Sequence, residues 1–137
     1  MQNCASEILS IVGYGIDIVA IPHIKELIEQ GSENFAIRCF TATESNTSIT
    51  SVNRIQYLAG RFVAKEAVLK ALGRASNQDC SWLDIEIQRL STGEPSVVLY
   101  GKCQNLAATL GVEKWLVSIS HTSSYAAASA IALGSIC

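Results

Sequence analysis

Charge is scarce in this sequence: Asp, Glu, Lys and Arg make up 16% of the 137 residues, against 49% hydrophobic residues, and the formal net charge is −2. A slightly acidic balance excludes a generic nucleic-acid binder, which needs a basic surface to neutralise phosphates. With so little charge to cover apolar surface, an oligomer is expected. No apolar run approaches the roughly 20 residues of a membrane-spanning helix. The five cysteines, at positions 4, 39, 80, 103 and 137, form no CxxC pair, and an odd number cannot all pair within one chain. The start, MQNCASEILS, lacks the basic stretch and apolar core of a signal peptide. A soluble cytoplasmic protein with reduced thiols is therefore expected. No internal repeat divides the chain, so one domain over 1–137, large enough to bury its own core, is expected.

Within those limits the chain reads as alternating β and α segments. IVGYGIDIVAI, ending at Ile21, is rich in β-branched residues and predicts a strand, after which Pro22 suits the first turn of a helix over 22–30 that Gly31 stops. A short helical piece is expected over 33–39, and Thr41 with Glu44 forms a T-x-x-E capping box that predicts another helix start. SNTSITSVN, 45–53, reads as an exposed loop, and a long helix runs from about Val52 to Leu72, before Gly73. Alternation over Trp82–Arg89 and Ser96–Tyr100, with STGEP between, predicts a hairpin. A helix at 102–110 and strands at 114–120 and 125–133 complete the chain. The order predicts an α+β domain with mostly antiparallel strands packed with a long central helix.

The long helix poses the functional question. In GRFVAKEAVLKALG (60–73) apolar residues occupy nearly every side, the pattern of a buried element, yet Arg61, Lys65, Glu66 and Lys70 sit inside it. Five of the ten basic residues (Arg54, Arg61, Lys65, Lys70, Arg74) fall between 54 and 74, where Glu66 is the one acid. Two ordinary surface pairs, Arg61/Lys65 and Glu66/Lys70, are the usual reading of charge on a helix. Among Leu58, Phe62, Val63, Val68, Leu69 and Leu72 that reading fits less well, because charge in such surroundings needs a counterion. A polyanionic phosphate ligand would supply it, with Arg giving forked hydrogen bonds and Lys a point charge. Asp17, between Ile16 and Ile18, is on its own a strand residue on an exposed face. Taken with Glu66 it forms two carboxylates near a phosphate site, a typical donor set for Mg²⁺. His121, one of two histidines, follows a predicted strand; a lone histidine is more often structural, but here it is also placed to donate to a phosphate.

These motifs carry a resemblance. GIDIV (15–19), FTATE (40–44), LAGRFVAKEAVLKALG (58–73), DIEI (84–87), GEP (93–95) and SISHT (118–122) together resemble holo-acyl-carrier-protein synthases, a family of 4′-phosphopantetheinyl transferases. The resemblance implies the compact fold of that family and transfer of the 4′-phosphopantetheine arm of coenzyme A to a serine of apo acyl carrier protein, releasing 3′,5′-ADP. It also implies a homotrimer with active sites between subunits. By motif position, Asp17 and Glu66 would hold Mg²⁺, Glu66 or a water it holds would be the general base, Arg61, Lys65, Lys70 and His121 would contact coenzyme A phosphates, and Pro95 would lie near the adenine. The family's first helix usually carries arginines that grip an acidic carrier. Here it reads PHIKELIEQGSENF, with three glutamates, which points either to Arg38 and Arg54 as docking residues or to a less acidic partner than usual. A coenzyme A or nucleotide-binding module without efficient transfer is the alternative, and a purely structural trimer would leave the basic cluster without purpose.

Overall fold

In the computed structural model, residues 8–31, 34–46, 51–73 and 79–135 are described, with the side chains of 51 and 52 excepted. Arg74, Glu33, Cys4, Cys137 and residues 47–50 of the expected loop lie outside them.

The first strand, β1 (Leu9–Ala20), alternates as a half-buried strand should, but its inward positions are unusually small. A Cβ on Gly13 would lie 2.0 Å from the Ala71 carbonyl oxygen, and one on Gly15 2.2 Å from that of Ala67. Backbone therefore meets backbone where β1 crosses the long helix, and Asp17, the next inward position, arrives beside the same helix. The outward residues Tyr14, Ile16 and Ile18 are 77%, 67% and 64% exposed.

Pro22 opens α1 (Ile21–Glu29), which buries Ile21 and Ile24. Two short helices follow, α2 (Phe35–Cys39) and α3 (Ala42–Ser45). The expected capping box at α3 is present: Thr41 Oγ1 accepts from Glu44 N–H at 3.3 Å, and Glu44 Oε1 accepts from Thr41 N–H at 2.9 Å. The central helix α4 (Ser51–Leu72) spans 22 residues and buries Leu58, Val63, Ala64, Ala67, Val68 and Leu72. Each such aliphatic side chain larger than alanine contributes roughly 1.5–3 kcal/mol on leaving water.

Residues 82–84, expected at the start of a strand, instead form a 3₁₀ turn. Ser81 Oγ accepts from Leu83 N–H at 3.0 Å and Asp84 Oδ2 accepts from Ser81 N–H at 3.3 Å, so this local cap displaces the alternating pattern. The strands β2 (Ile85–Arg89) and β3 (Pro95–Leu99) pair antiparallel across the expected turn, where Gly93 has φ 95°. After α5 (Gly101–Leu110), β4 (Lys114–His121) and β5 (Tyr125–Ser135) complete a second antiparallel sheet in the order β1-β5-β4. The inward residues of β5, Ala126, Ala128, Ala130 and Ala132, are small and buried, which lets the sheet lie close on α4. The α+β class with antiparallel strands around a long central helix is as expected.

Candidate active site

Lys65 lies at the centre of α4 and is wholly enclosed. Its Nζ is 2.6 Å from Glu44 Oε1, and both side chains are 0% exposed. The same ammonium donates to the carbonyls of Cys39 at 2.6 Å and Trp82 at 3.0 Å. Glu44 accepts in addition from Ile87 N–H at 2.7 Å. The pair thus has the hydrogen-bond partners that buried charges require. The assignment of Lys65 to coenzyme A phosphates does not fit this geometry: no part of the side chain reaches the surface, and its counterion is Glu44 rather than a ligand.

One position further along α4, Glu66 lines an open cleft of about 520 Å³ with Arg38, Leu69, Cys80 and Trp82. Burial pushes its carboxyl above the ordinary range; a side-chain hydrogen bond from Trp82 works against this, the nearby Asp17 charge adds to it, and Lys70 draws it back. Asp17 itself pairs with Lys70, whose Nζ is 3.0 Å from Oδ1 and donates to the Ile16 carbonyl at 2.9 Å. Asp17, Glu66 and Lys70 therefore come together from β1 and α4. Two carboxylates whose charges oppose each other, one of them partly desolvated, are stabilised by a divalent cation. Among the described residues no group of three or more His, Cys, Asp or Glu side chains gathers. Two hard oxygen donors without a full protein cage fit Mg²⁺, which completes its shell with water and phosphate, better than Zn²⁺.

A second cleft, of about 420 Å³, brings Arg61, Arg89 and His121 together with Tyr57 and Gln56. The Arg61 guanidinium lies 4.2 Å over the Tyr57 ring, yet its buried Nε has no hydrogen-bond partner among the described residues. An unsatisfied buried N–H is costly, and an anionic oxygen is the ligand that would satisfy it. Pro95 pairs with Arg89 in the hairpin register, beside this cleft. Residues turn by about 100° each along a helix, so Arg61 and Lys70 point in opposite directions. The expected site residues form two groups on one chain: Asp17, Glu66 and Lys70 on one side of α4, Arg61 and His121 on the other, with Pro95 adjoining the latter.

The model of the 4′-phosphopantetheinyl transferase superfamily matches residues 13–130, which span both groups. The chain belongs to this superfamily. Within it, the chain is similar to the holo-[acyl-carrier-protein] synthase of Koribacter versatilis, at 38% identity over 121 residues that cover 88% of this chain and 97% of the relative. The acyl carrier protein synthase of Plasmodium yoelii with ADP bound superposes with a TM-score of 0.82 at 33% identity, covering 94% of this chain and 99% of that one. A holo-(acyl-carrier-protein) synthase from Bacillus anthracis in complex with CoA (3′,5′-ADP) gives 0.74 at 29% identity, covering 90% and 97%. In this transferase-superfamily chain, pattern reading missed Glu44, Trp82 and Arg89 as site components. Glu44 was visible only as a cap, and Arg89 only as the last residue of an alternating strand.

Proposed function

We propose that this chain moves 4′-phosphopantetheine from coenzyme A to a serine hydroxyl of apo acyl carrier protein and releases 3′,5′-ADP, in support of fatty acid or related biosynthesis. The observation that carries the reading is the carboxylate pair Asp17/Glu66 beside one cleft and the cationic second cleft, on a chain similar to proteins named for this activity. A single transferase domain over 1–137 performs it.

The Arg61 and His121 side chains, with Arg89, bind the phosphates of coenzyme A, and Pro95 borders the adenine. Asp17 and Glu66 hold Mg²⁺, which when bound neutralises pyrophosphate charge that would repel the incoming oxygen. Lys70 orients Asp17 through their 3.0 Å pair and adds positive charge beside the departing phosphate. The serine oxygen bonds to the pantetheine-side phosphorus while the bond to 3′,5′-ADP breaks, the nucleotide leaving with the electron pair. The serine proton passes to Glu66 or to a water that it holds.

Because the two groups face opposite sides of α4, one protomer supplies each group to a different site. The outer face of the sheet, with Tyr14, Ile16, Ile18 and Leu116 exposed, is the apolar surface a homotrimer would bury. Cys39, Cys80 and Cys103 are free thiols, in keeping with a cytoplasmic protein; among the described residues no helix is long and apolar enough to cross a membrane. Arg38, exposed at the rim of the Glu66 cleft, is the proposed contact for an acidic carrier in place of the glutamate-rich α1.

Incubation with coenzyme A, Mg²⁺ and several apo carrier proteins, followed by mass spectrometry of the carriers, tests the proposal. A carrier should gain one phosphopantetheine, and Asp17→Ala or Glu66→Ala should abolish the gain. Coenzyme A binding with no carrier modified would instead make the chain a binding module.

A further inference from the structure

Lys65 and Glu66 are neighbours in α4, yet one is sealed in the core and the other lines the open first cleft. The Lys65 ammonium meets acceptors on separate segments: Glu44 Oε1 in α3 at 2.6 Å, the carbonyl of Cys39 at the end of α2 at 2.6 Å, and the carbonyl of Trp82 at the start of the 3₁₀ turn at 3.0 Å. Those acceptors use up the N–H donors that an ammonium has. Two of these segments also build the first cleft. Arg38, the residue before Cys39, lines it, and so do Cys80, Ser81, Trp82 and Leu83. The counterion is itself anchored, since Glu44 Oε2 accepts from Ile87 N–H in β2 at 2.7 Å. Stability alone does not account for so costly a pair, because apolar side chains of similar volume often serve a core as well. What an apolar pair would not do is hold two backbone carbonyls at fixed points.

We infer that Lys65 is a positioning residue for the Glu66 cleft: its ammonium ties the end of α2 and the 82–84 turn to α4 beside Glu66, and so keeps in shape the surface that receives the serine of the carrier. The inference rests on the proposed transfer to acyl carrier protein. In that reaction the serine reaches Glu66 from solvent, and the cleft that Glu66 lines is its approach, with Arg38 at the rim. The segments concerned are short, five residues in α2 and three in the turn, so their own backbone hydrogen bonds are few and a tether to the helix beneath matters. Were they loose, ordering them would fall to the docking step. Carrier binding would weaken while the chemical step, built on Asp17, Glu66 and Lys70, stayed as it was.

The test separates position from stability with three variants of the full chain. Lys65→Met removes the tether and leaves Glu44 unpaired; Lys65→Met with Glu44→Leu removes the tether but recovers part of the stability; Glu44→Gln is destabilised but keeps the Lys65 amine on both carbonyls. Initial rates are measured against carrier concentration at saturating coenzyme A and Mg²⁺, well below the lowest melting midpoint. Both variants that lack Lys65 should raise the carrier KM by roughly three- to tenfold, the cost of ordering one or two side chains or a short loop on binding. Their kcat should stay close to the parent's, and Glu44→Gln should keep the parent's KM despite its lower midpoint. A carrier KM that instead follows the midpoint, highest in whichever variant is least stable, overturns the inference, as does a parental KM in the double variant. If the parent modifies no carrier, the proposed transfer itself fails, and this inference with it. Should the double variant not fold, Lys65→Met and Glu44→Gln decide the question between them. A second readout needs no activity: amide hydrogen exchange over 35–40 and 81–84 should be faster in Lys65→Met than in Glu44→Gln, relative to β5 in each protein. Equal relative exchange there in the two variants overturns the inference.

Discussion

Replacing Lys65 with methionine tests whether this cation serves the fold or the ligand. Methionine keeps most of the apolar stem but removes the ammonium that meets Glu44, the Cys39 carbonyl and the Trp82 carbonyl. Glu44 would remain at 0% exposure with N–H donors from Thr41 and Ile87 and no countercharge. Leaving one half of a buried pair unpaired costs about 3–5 kcal/mol. For a chain of this length each kcal/mol moves the midpoint by roughly 3–5 °C, so the melting temperature should fall by about 10–20 °C. Thermal unfolding followed by circular dichroism, at one fixed protomer concentration because association would shift the midpoint, measures this. Coenzyme A affinity, read by calorimetry well below the midpoint, should stay within about threefold of the parent, since no ligand contact is lost. Adding Glu44→Leu to the variant should restore part of the loss, because a buried pair replaced by apolar groups is often close to neutral. Near-normal melting combined with lost coenzyme A binding would refute this reasoning and return Lys65 to the ligand.

Gly15→Ala would place a methyl 2.2 Å from the Ala67 carbonyl oxygen and 2.8 Å from Lys70 Cβ. We expect a loss of about 3 kcal/mol or more in urea unfolding, with transfer falling as β1 moves off α4 and carries Asp17 from Lys70; unchanged stability would mean that the two backbones are further apart than described. Glu86 provides an acid-dependent test. Burial raises its carboxyl, but hydrogen bonds with Gln88, Thr41 and Tyr100 outweigh burial and hold it below its ordinary 4.5. A lowered folded value means the unfolded chain takes up the proton first, so the stabilisation is present above the ordinary value and is lost as pH falls through the folded one. The stability difference between the parent and Glu86→Gln should therefore shrink below that ordinary value, and parallel urea midpoints down to about pH 3 would contradict the assignment.

Much of the fold was legible because its signals are local. Pro22 at a helix start, the Thr41/Glu44 box, Gly73 after a helix and the Gly93 turn each act on backbone groups a few residues away, and all appear where the pattern put them. For Asp17 the strand pattern alone suggested an exposed face, whereas the folded chain sets it on the face that meets α4, against Lys70. What escaped was action at a distance. Glu44 was seen as a cap for its own helix, while its second task, neutralising Lys65, depends on a packing that only the folded chain creates. The basic cluster was therefore read as wanting a ligand for three cations when one of them already had its counterion. Trp82 was missed for a different reason: Ser81 and Asp84 form their own capping pattern, a signal present in the sequence, but the stronger alternation of the following strand hid it. The division of the site into two groups follows from helical geometry alone, and becomes plain once both clefts are seen.

That division has a genetic meaning. In the proposed trimer, a damaged Glu66 and a damaged Arg61 do not silence the same places, because each subunit lends one face of α4 to a junction on its left and the other face to a junction on its right. Two kinds of inactive subunit, one defective on each face, can therefore build an intact junction where their sound faces meet. With equal amounts assembling at random into a closed ring, about one junction in four would be whole. Two lesions on the same face would never rescue each other. In such a trimer the unit on which inheritance acts would be the seam between chains, and an allele's severity would depend on the company it keeps.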